Sequence, residues 1–172
     1  MTKQSLPSKE YSKSYAGYID KISTVTDLTT GFQNDKKMMI SFFSSIPNNK
    51  LNYRYQPEKW SVKEILQHLI DTERIFMYRM LRIARKDTTP LAGFEQNGYI
   101  IPSEANDKTI ETLLHEFSVT RLYSINLINS ISDENMKNMG VASGHSVSAR
   151  ACAFIILGHN LWHTDVIKQY YL

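Results

Sequence analysis

The histidines are the residues in this sequence whose spacing most directly suggests chemistry. His159 and His163 lie four residues apart in an otherwise apolar segment, so on a helix they share one face. Two imidazoles in apolar surroundings need partners, because an unsatisfied buried polar group costs roughly 1–3 kcal/mol. One divalent metal ion would satisfy both rings, since neutral imidazole nitrogen is a good ligand for zinc, nickel, copper and iron.

His68 is the natural third ligand of such a site. It lies on a different predicted helix, at the flank of the apolar stripe, and from there it could meet the pair in the groove between the helices. The alternative is that the three histidines hold no metal and simply pack and hydrogen-bond within the core. No HExxH sequence is present, so the zincin mechanism with its adjacent Glu base has no support.

Two charged residues, Glu73 and Arg121, fall within the apolar stripes of their predicted helices. A charge in such a stripe must be paired or hydrogen-bonded, so we favour a structural ion pair between them across the core. The second interpretation makes Glu73 a general base, and it is the only candidate catalytic residue that the sequence offers.

Other residues with reactive side chains have simpler interpretations. Cys152 has no activating group beside it, so a core thiol is favoured over a nucleophile. His115 falls opposite the apolar face of its helix and is expected at the surface, and His145 is expected in a turn or capping role. Five tyrosines either line a groove or pack within the bundle: Tyr53, Tyr55, Tyr99, Tyr170 and Tyr171.

Four segments with apolar residues at three- and four-residue steps predict the helices that position these groups. They span residues 27–46, 61–86, 109–130 and 148–170. Ser61 and Glu64 form a capping box at the start of the second helix, and Ser23 or Thr26 is expected to cap the first. The last helix is apolar nearly all round, which indicates that the others enclose it. The sequence therefore predicts an all-α fold, a four-helix bundle.

The remaining segments complete one domain. Residues 1–14 are interpreted as a polar, loosely held N-terminal arm, and residues 15–172 as the bundle domain. The connection 89–108 is long for a compact domain, and such loops are usually functional or contain short helices of their own. The segment 132–146 is interpreted as irregular. We expect the open position of a bound metal to face the groove between these two segments.

Composition and charge exclude several function classes. Lys and Arg total 20 against 17 Asp and Glu, and without a basic run this net charge of +3 gives little support to nucleic-acid binding. The single cysteine rules out an internal disulfide framework and a multi-cysteine metal site. The longest apolar stretch, residues 151–158, is far shorter than the roughly 20 residues of a membrane span. We therefore expect a cytoplasmic protein with a small-molecule substrate and no nucleic-acid or membrane partner.

Three stretches together resemble the DinB-like superfamily, whose fold is also called DinB/YfiT-like. Residues 59–76 read KWSVKEILQHLIDTERIF and resemble its signature KWS-x-KE-x-x-x-HL-x-DTER. Residues 89–94 resemble the loop that follows, and residues 144–172 resemble the closing helix. The resemblance covers roughly residues 15–172, and it implies a four-helix bundle that holds a divalent metal with three histidines.

The same resemblance implies a ligand set and a type of chemistry. Carried over by position, the metal ligands are His68, His159 and His163. Relatives such as the bacillithiol transferases and the mycothiol-dependent maleylpyruvate isomerases use the metal with a low-molecular-weight thiol, and others resemble metal-dependent hydrolases. The implied cofactors are thus a divalent ion (zinc, nickel, iron or manganese) and a low-molecular-weight thiol. Many members have two adjacent histidines at the end of the closing motif, and here Trp162 replaces the first of them.

Three neutral nitrogens would leave the ion its full positive charge and at least one open position, as in catalytic sites. Such an ion lowers the pKa of a bound water toward about 7 or holds a thiol as its thiolate. Our first hypothesis is a thiol-dependent S-transferase that acts on small electrophiles. The alternatives are a metal-dependent hydrolase and a non-catalytic, metal-stabilised bundle that binds a small molecule or a partner. Relatives often form dimers, and the apolar first helix is compatible with a homodimer.

Overall fold

Four long helices form the body of the protein in a computed structural model that describes residues 1–172. The α-helices, numbered in chain order, span Ala16–Ile19 (α1), Leu28–Ser44 (α2), Asn48–Leu51 (α3), Val62–Ala84 (α4), Asn97–Ile100 (α5), Ile110–Asn129 (α6) and Ala149–Tyr170 (α7). Two strands, Met139–Ala142 (β1) and His145–Ser148 (β2), pair antiparallel as a hairpin. Short 3₁₀ helices span Lys3–Ser5, Ser8–Glu10, Lys13–Tyr15, Ala105–Asp107 and Asn135–Lys137.

Each of the four long helices begins at a side-chain cap. The caps are Asp27, Ser61, Thr109 and Ser148, and each accepts a hydrogen bond from the backbone N–H three residues further on. The capping box predicted for α4 is present, because the Glu64 carboxylate in turn accepts from the Ser61 N–H at 2.6 Å. The cap of α2 is Asp27, however, and neither Ser23 nor Thr26 has this role.

The packing of these helices gives the bundle a specific order. α4 lies between α6 and α7, and α2 contacts α6 and α7 on the opposite side. The first two long helices in the sequence therefore lie on a diagonal of the bundle, while α1 packs beside α7. The predicted four-helix bundle is confirmed. None of the helices combines the length and the apolar character that crossing a membrane would require.

The segment 132–146, expected to be irregular, instead forms most of the hairpin. Ser143 and Gly144 form its turn with φ angles of 51° and 77°, the positive values that a two-residue type I′ turn requires. The Leu91 N–H donates to the Val141 carbonyl at 2.9 Å, and the Ser143 N–H donates to the Leu91 carbonyl at 3.0 Å. The hairpin thus anchors the start of the connection 89–108.

The N-terminal arm is held firmly and not loosely. Leu6 is buried in the larger apolar cluster, and the terminal amine lies 2.8 Å from the Asp27 carboxylate. Glu10 is also buried, where its carboxylate accepts a hydrogen bond of 2.7 Å from Nε of Arg150. The polar sequence of the arm does not predict this arrangement, because the groups that pair with its charges lie more than twenty residues away in the sequence.

The buried apolar side chains form two clusters, one toward each end of the bundle. The larger has 24 residues and surrounds the first half of α7, and the smaller has 13 and surrounds the first half of α4. Between them lie buried polar residues that we call the polar layer: Asp35, His68, Thr72, Glu73, Arg121, Ser124, His159, Asn160 and His163. Because buried polar groups are costly unless paired, this layer is where function is to be sought.

Candidate metal centre

Three histidine rings converge on one side of the polar layer, His68 from α4 and His159 and His163 from successive turns of α7. We call them the histidine cluster. Nε2 of His159 lies 3.2 Å from Nε2 of His68 and 3.0 Å from Nε2 of His163. One ring nitrogen of each lies within 4.8 Å of the other two. Two nitrogens bound at about 2.0–2.1 Å to one tetrahedral ion would be about 3.4 Å apart, so the spacing is close to that of a ligand set.

Hydrogen bonding among the rings cannot satisfy this cluster. A ring nitrogen carries either one proton or one lone pair, so Nε2 of His159 makes one good hydrogen bond and not two. On the far side of the rings, Nδ1 of His68 has only a distant contact, 3.5 Å from the Thr72 hydroxyl, and Nδ1 of His163 is buried without a partner. A cation that takes all three Nε2 lone pairs would remove the conflict at the centre. The residues therefore fit a divalent metal ion.

Burial keeps the three rings uncharged. It lowers the pKa of His68 to about 4 and, together with the nearby His68, the pKa of His163 to about 3. The pKa of His159 also lies well below 6.5, first because of burial and then because of the two neighbouring rings. At neutral pH each ring thus has a free nitrogen lone pair, which is the form in which histidine binds metals.

Each ring of the cluster packs against an aromatic side chain of its own. The pairs, with the distances between ring centroids, are Trp60 and His68 at 4.7 Å, Tyr18 and His159 at 5.1 Å, and Trp162 and His163 at 4.7 Å. Trp162, which replaces a histidine common in the family motif, meets the His163 ring edge-on at 87°. The substitution therefore exchanges a polar group for one that restricts the orientation of a cluster histidine.

Gly158 explains how the segment that carries Tyr18 comes so close to α7. A Cβ atom at position 158 would lie 2.0 Å from the Tyr18 carbonyl oxygen, far inside van der Waals contact. Only glycine permits this approach, although glycine costs a helix interior roughly 1 kcal/mol relative to alanine. The Tyr18 ring is thereby placed against His159.

Two adjoining cavities lead to the histidine cluster. The first, of about 310 Å³, exposes all three rings between residues 55–60, the C-terminal half of α7, and Gln96 and Asn97 of the long connection. The second, of about 170 Å³, shares Tyr18, Gln96 and His159 with the first and extends to the hairpin turn at Ser143. The cluster thus faces the connection 89–108 as expected. The segment 132–146 bounds the second cavity through Ser143, as expected, whereas the first cavity is bounded opposite the connection by the segment 55–60.

Glu73 lies on a different face of α4 from His68, in a group that we call the charge cluster: Asp35, Glu73 and Arg121. NH2 of Arg121 lies 2.9 Å from Oε2 of Glu73 and 3.0 Å from Oδ2 of Asp35. The Ser124 hydroxyl donates to Glu73 at 2.6 Å, and the Asn160 amide donates to Asp35 at 2.8 Å. The ion pair favoured from the sequence is present, and Asp35 is its unforeseen third member.

Burial raises the pKa of both carboxyl groups of the charge cluster, and the charge of Arg121 opposes this shift. The side chain of Glu73 is 0% exposed and lines neither of the two cavities. It has no path to a substrate. This placement favours the structural interpretation of Glu73 over the general base.

Cys152 and His115 lie where their simpler interpretations placed them, and His145 does not. Cys152 is fully buried, and burial raises the pKa of its thiol to about 12. His115 is exposed as expected, whereas His145, also exposed, begins strand β2 and neither forms the hairpin turn nor caps α7. Among the tyrosines, Tyr55 and Tyr171 line the first cavity, and the other three lie outside it. The single thiol of the chain therefore lies in the core and lines neither cavity.

Four residues that shape the cavities were not singled out in the sequence: Tyr18, Trp60, Arg79 and Gln96. Trp60 stands within the signature motif, and Arg79 is a charged residue in a largely buried helix, so both carried a signal. Tyr18 and Gln96 reach the site through tertiary packing of segments far from the histidines in sequence, and no local pattern marks them.

Comparison with known proteins agrees with this geometry. The family model of the DinB superfamily matches residues 32–167. Among solved structures, YfiT from Bacillus subtilis, described as a probable metal-dependent hydrolase with an unusual four-helix bundle topology, aligns with a TM-score of 0.76 at 12% identity, over 96% of this chain and 90% of that chain. The mycothiol-dependent maleylpyruvate isomerase aligns with a TM-score of 0.66, also at 12% identity, over 80% of this chain and 58% of that chain.

At such low identity, these two structures show a likeness of fold alone. No curated protein sequence matches the chain significantly. The family match is of a different kind, because it spans well over half of the chain and includes all three residues of the histidine cluster. This chain belongs to the DinB superfamily.

Proposed function

We propose that the histidine cluster binds one divalent metal ion and that the protein is a thiol-dependent transferase for small electrophiles. The observation that carries the proposal is the convergence of three uncharged Nε2 atoms at one cavity, in a ligand cluster that contains no carboxylate. On neutral ligands alone, a divalent ion would keep its full charge and would lower the pKa of a thiol or a water molecule that occupies an open position.

The residues of the chain would hold and shield this centre. His68, His159 and His163 supply the nitrogens, and the aromatic neighbours of each ring restrict its orientation. Tyr18 and Trp162, with ring centroids 5.9 Å apart, also close one side of the cavity against water. A site with its ligands fixed in this way needs little rearrangement when an ion or substrate binds.

Glu58 is the one carboxylate that lines the two cavities, and it is not part of the histidine cluster, which favours a thiol over water as the nucleophile. An ordinary thiol has a pKa of about 8.5 and water one of about 15.7, so a thiol needs far less help to lose its proton at neutral pH. Because Cys152 is buried and protonated, the thiol must come from a separate small molecule. In the reaction, the thiol loses its proton to solvent, its sulfur forms a bond to the electrophilic carbon, and the leaving group departs with the electron pair.

A metal-dependent hydrolase is the second candidate. Its support is the likeness in fold to YfiT over 96% of this chain, since that protein is described as a probable metal-dependent hydrolase. The same ion would then activate water. The two candidates differ in one measurable property, because only the transferase requires an added thiol for turnover.

The first experiment replaces His159, whose Nε2 atom contacts both other rings, with alanine. The protein is purified without chelators or a histidine tag, and its metal is measured by elemental analysis. Wild type should hold about one ion per chain and His159→Ala less than about a tenth of that, since two ligands hold an ion poorly. The matched control is His115→Ala, which removes an exposed histidine and should leave the metal content unchanged.

Turnover then tests the chemistry. Wild type should release the leaving group of chloro- or nitro-substituted aromatic electrophiles only when a low-molecular-weight thiol is added, and His159→Ala should lose this activity. Thiol-independent hydrolysis of esters by wild type would instead support the hydrolase. Metal-free wild type, even after incubation with zinc, nickel, iron or manganese, would overturn both.

A further inference from the structure

Three arginines of this protein are buried, and only two of them have a carboxylate partner. Arg121 lies against Asp35 and Glu73, and Arg150 is bonded to Glu10. Arg79 is 2% exposed and has no acidic group within salt-bridge distance. A buried charge without a counter-ion is costly, so an unpaired arginine in such a place calls for an explanation.

The guanidinium of Arg79 is only partly used by the protein. NH2 donates to the Ala92 carbonyl at 3.0 Å and to the Ser143 hydroxyl at 2.8 Å, and both acceptors are neutral. The group also lies over the rings of Phe76, at 5.0 Å, and Phe94, at 5.7 Å. With both hydrogens of NH2 so engaged, Nε and NH1 keep donors of their own, and a carboxylate oxygen would take one of these.

Arg79 lines the second cavity, the one that reaches His159. Apart from Arg79 and His159, the residues of its lining are aromatic, aliphatic or neutral polar, and none is acidic. Thr72, Phe76 and Arg79 lie on one face of α4 at steps of four and three, so Arg79 is about 10 Å along the helix from Thr72, which contacts His68. The cavity thus has the histidine cluster at one end and an uncompensated positive charge at the other.

We infer that Arg79 is the specificity-determining residue of the site and binds the carboxylate of a small ligand whose other end reacts at the histidine cluster. This inference rests on the proposed function, because it names the class of ligand that the same site takes. The ligand has a short apolar body, which fits between Phe76, Ile155 and Tyr15. Its carboxylate would supply the counter-charge that Arg79 lacks.

A purely structural role for Arg79 is the competing explanation. Its two bonds connect α4 to the long connection and to the hairpin turn, so its loss could loosen both segments. The two roles make different predictions. Loss of a structural role would weaken the binding of all ligands alike, whereas loss of a carboxylate-binding role would weaken only the binding of negatively charged ligands.

The test measures dissociation constants of the purified protein, with its metal content known, for hexanoate and for the uncharged hexanol. Wild type should prefer hexanoate by about ten-fold or more, the usual effect of a charge-assisted hydrogen bond, and Arg79→Gln should abolish the preference without changing the affinity for hexanol. Arg85→Gln is the control, since it removes an exposed positive charge near the end of the same helix. A preference that survives in Arg79→Gln, or is absent in wild type, would overturn the inference.

Two further variants keep the inference testable if Arg79→Gln does not fold. Arg79→Lys keeps the positive charge but not the guanidinium donors, so it should retain part of the preference, and a complete loss in the folded variant would contradict attraction by the charge at this position. Ser143→Ala removes one of the bonds that fix Arg79 while leaving its charge, and it should keep the preference. Melting curves of all variants show which of them are folded.

The carboxylate has two sources, the thiol or the electrophile, and a second titration on the metal-containing protein separates them. If the thiol carries it, ω-mercaptohexanoate should bind more tightly than both hexanoate and ω-mercaptohexanol, and Arg79→Gln should remove the advantage over the alcohol. If the electrophile carries it, hexanoate and mercaptoethanol should bind together without competing.

Failure of the inference and failure of the proposed function are distinguishable. Thiol binding to the metal-containing protein without an Arg79-dependent preference would overturn the inference alone. Arg79-dependent binding of hexanoate to a protein that holds no metal would overturn the proposed function alone.

Discussion

The two sides of the polar layer meet the cost of buried polar groups in opposite ways. In the charge cluster, two carboxylates face one guanidinium, Ser124 donates to Oε1 of Glu73 and Asn160 donates to Oδ2 of Asp35. Nε and NH1 of Arg121 have no hydrogen-bond partner, so this cluster is held by charge more than by hydrogen bonds. In the histidine cluster, three uncharged rings direct nitrogens at one another, and none of the surrounding groups completes their hydrogen bonding. The first, which we call the closed side, meets its buried charges with opposite charges from within the protein, whereas the second, the open side, would be completed by an ion from outside.

The surroundings of the two clusters also differ, because only the histidine cluster lines the two cavities. The guanidinium of Arg121 lies 4.3 Å from the ring centroid of Phe32 and 5.2 Å from that of Phe117, and it lines neither of the two cavities. The histidine cluster opens onto two adjoining cavities. Buried polarity is thus not enough to identify a site, since a functional group also needs a path for a ligand.

The largest expected effect on stability comes from breaking the closed side. Arg121→Met leaves two carboxylates in the core without their counter-charge, and removing one partner of a buried ion pair typically costs about 3–5 kcal/mol. We expect a loss of that size in the free energy of unfolding, measured in urea, with an unchanged number of metal ions per folded chain. Arg74→Met, in which an exposed arginine of α4 is replaced, should lose less than about 1 kcal/mol.

A loss of metal in folded Arg121→Met would show that the charge cluster and the histidine cluster are coupled, and would contradict their independence. Asn160 is the residue through which such coupling would run, because it follows His159 in the sequence and donates to Asp35.

Much of the bundle could be predicted from the sequence because its signals are local. The box formed by Ser61 and Glu64 fixes the start of α4, and the three- and four-residue steps of apolar residues fix the extent of the long helices. The hairpin was missed because its strands are only four residues long, too short for a clear alternation. The firm packing of the arm was missed because an ion pair such as Glu10 with Arg150 has no local pattern.

The candidate site was predictable in its ligands but not in its walls. His159 and His163 share a helix face by spacing alone, and His68 lies at a stripe edge, so all three carry a signal in the sequence. Asp35 lies within the apolar stripe of α2, and like Glu73 it was open to detection as a charge among buried positions. Tyr18 and Gln96 depend on how distant segments fold over α7, which no periodic pattern encodes.

A substitution at Gly158 would disturb the open side while leaving the closed side intact. In Gly158→Ala the new methyl group meets the Tyr18 carbonyl, so the segment that carries Tyr18 must move away from α7. We expect a loss of about 1–3 kcal/mol in the free energy of unfolding, the usual cost of overpacking, together with weaker binding of ligands in the cavity.

Gly17 provides the matched control for this change. A Cβ atom there meets nothing within 4 Å. Gly17→Ala, next to Tyr18 in α1, should therefore be neutral or stabilising by about 0.4–1 kcal/mol. Equal behaviour of the two variants in thermal melts and in ligand titrations would contradict a close approach of Tyr18 to α7.

The smallest expected effect is a pH dependence that originates in the closed side. Burial raises the pKa of Glu73 above its ordinary 4.5, so the folded protein binds this proton more tightly than the unfolded chain does. The contribution of Glu73 to stability is therefore fully present below about pH 4.5 and is lost as the pH rises through the folded value, at about 1.4 kcal/mol for each unit of pKa difference. The free energy of unfolding of wild type minus that of Glu73→Gln should fall as the pH rises above 4.5.

Glu10 supplies a control of opposite sign. Burial pushes its pKa up, but the hydrogen bonds from Arg150 and Ser148 and the charge of Arg150 outweigh burial, so the pKa lies below 4.5. Its contribution is present above 4.5 and is lost as the pH falls through the folded value, so the difference between wild type and Glu10→Gln should shrink in acid. Urea titrations of wild type, Glu73→Gln and Glu10→Gln across this pH range would measure both differences in the free energy of unfolding. Parallel curves for Glu73→Gln and Glu10→Gln would mean that Arg121 stabilises its carboxylates as fully as Arg150 does, and that a guanidinium shared between two acids compensates for their burial.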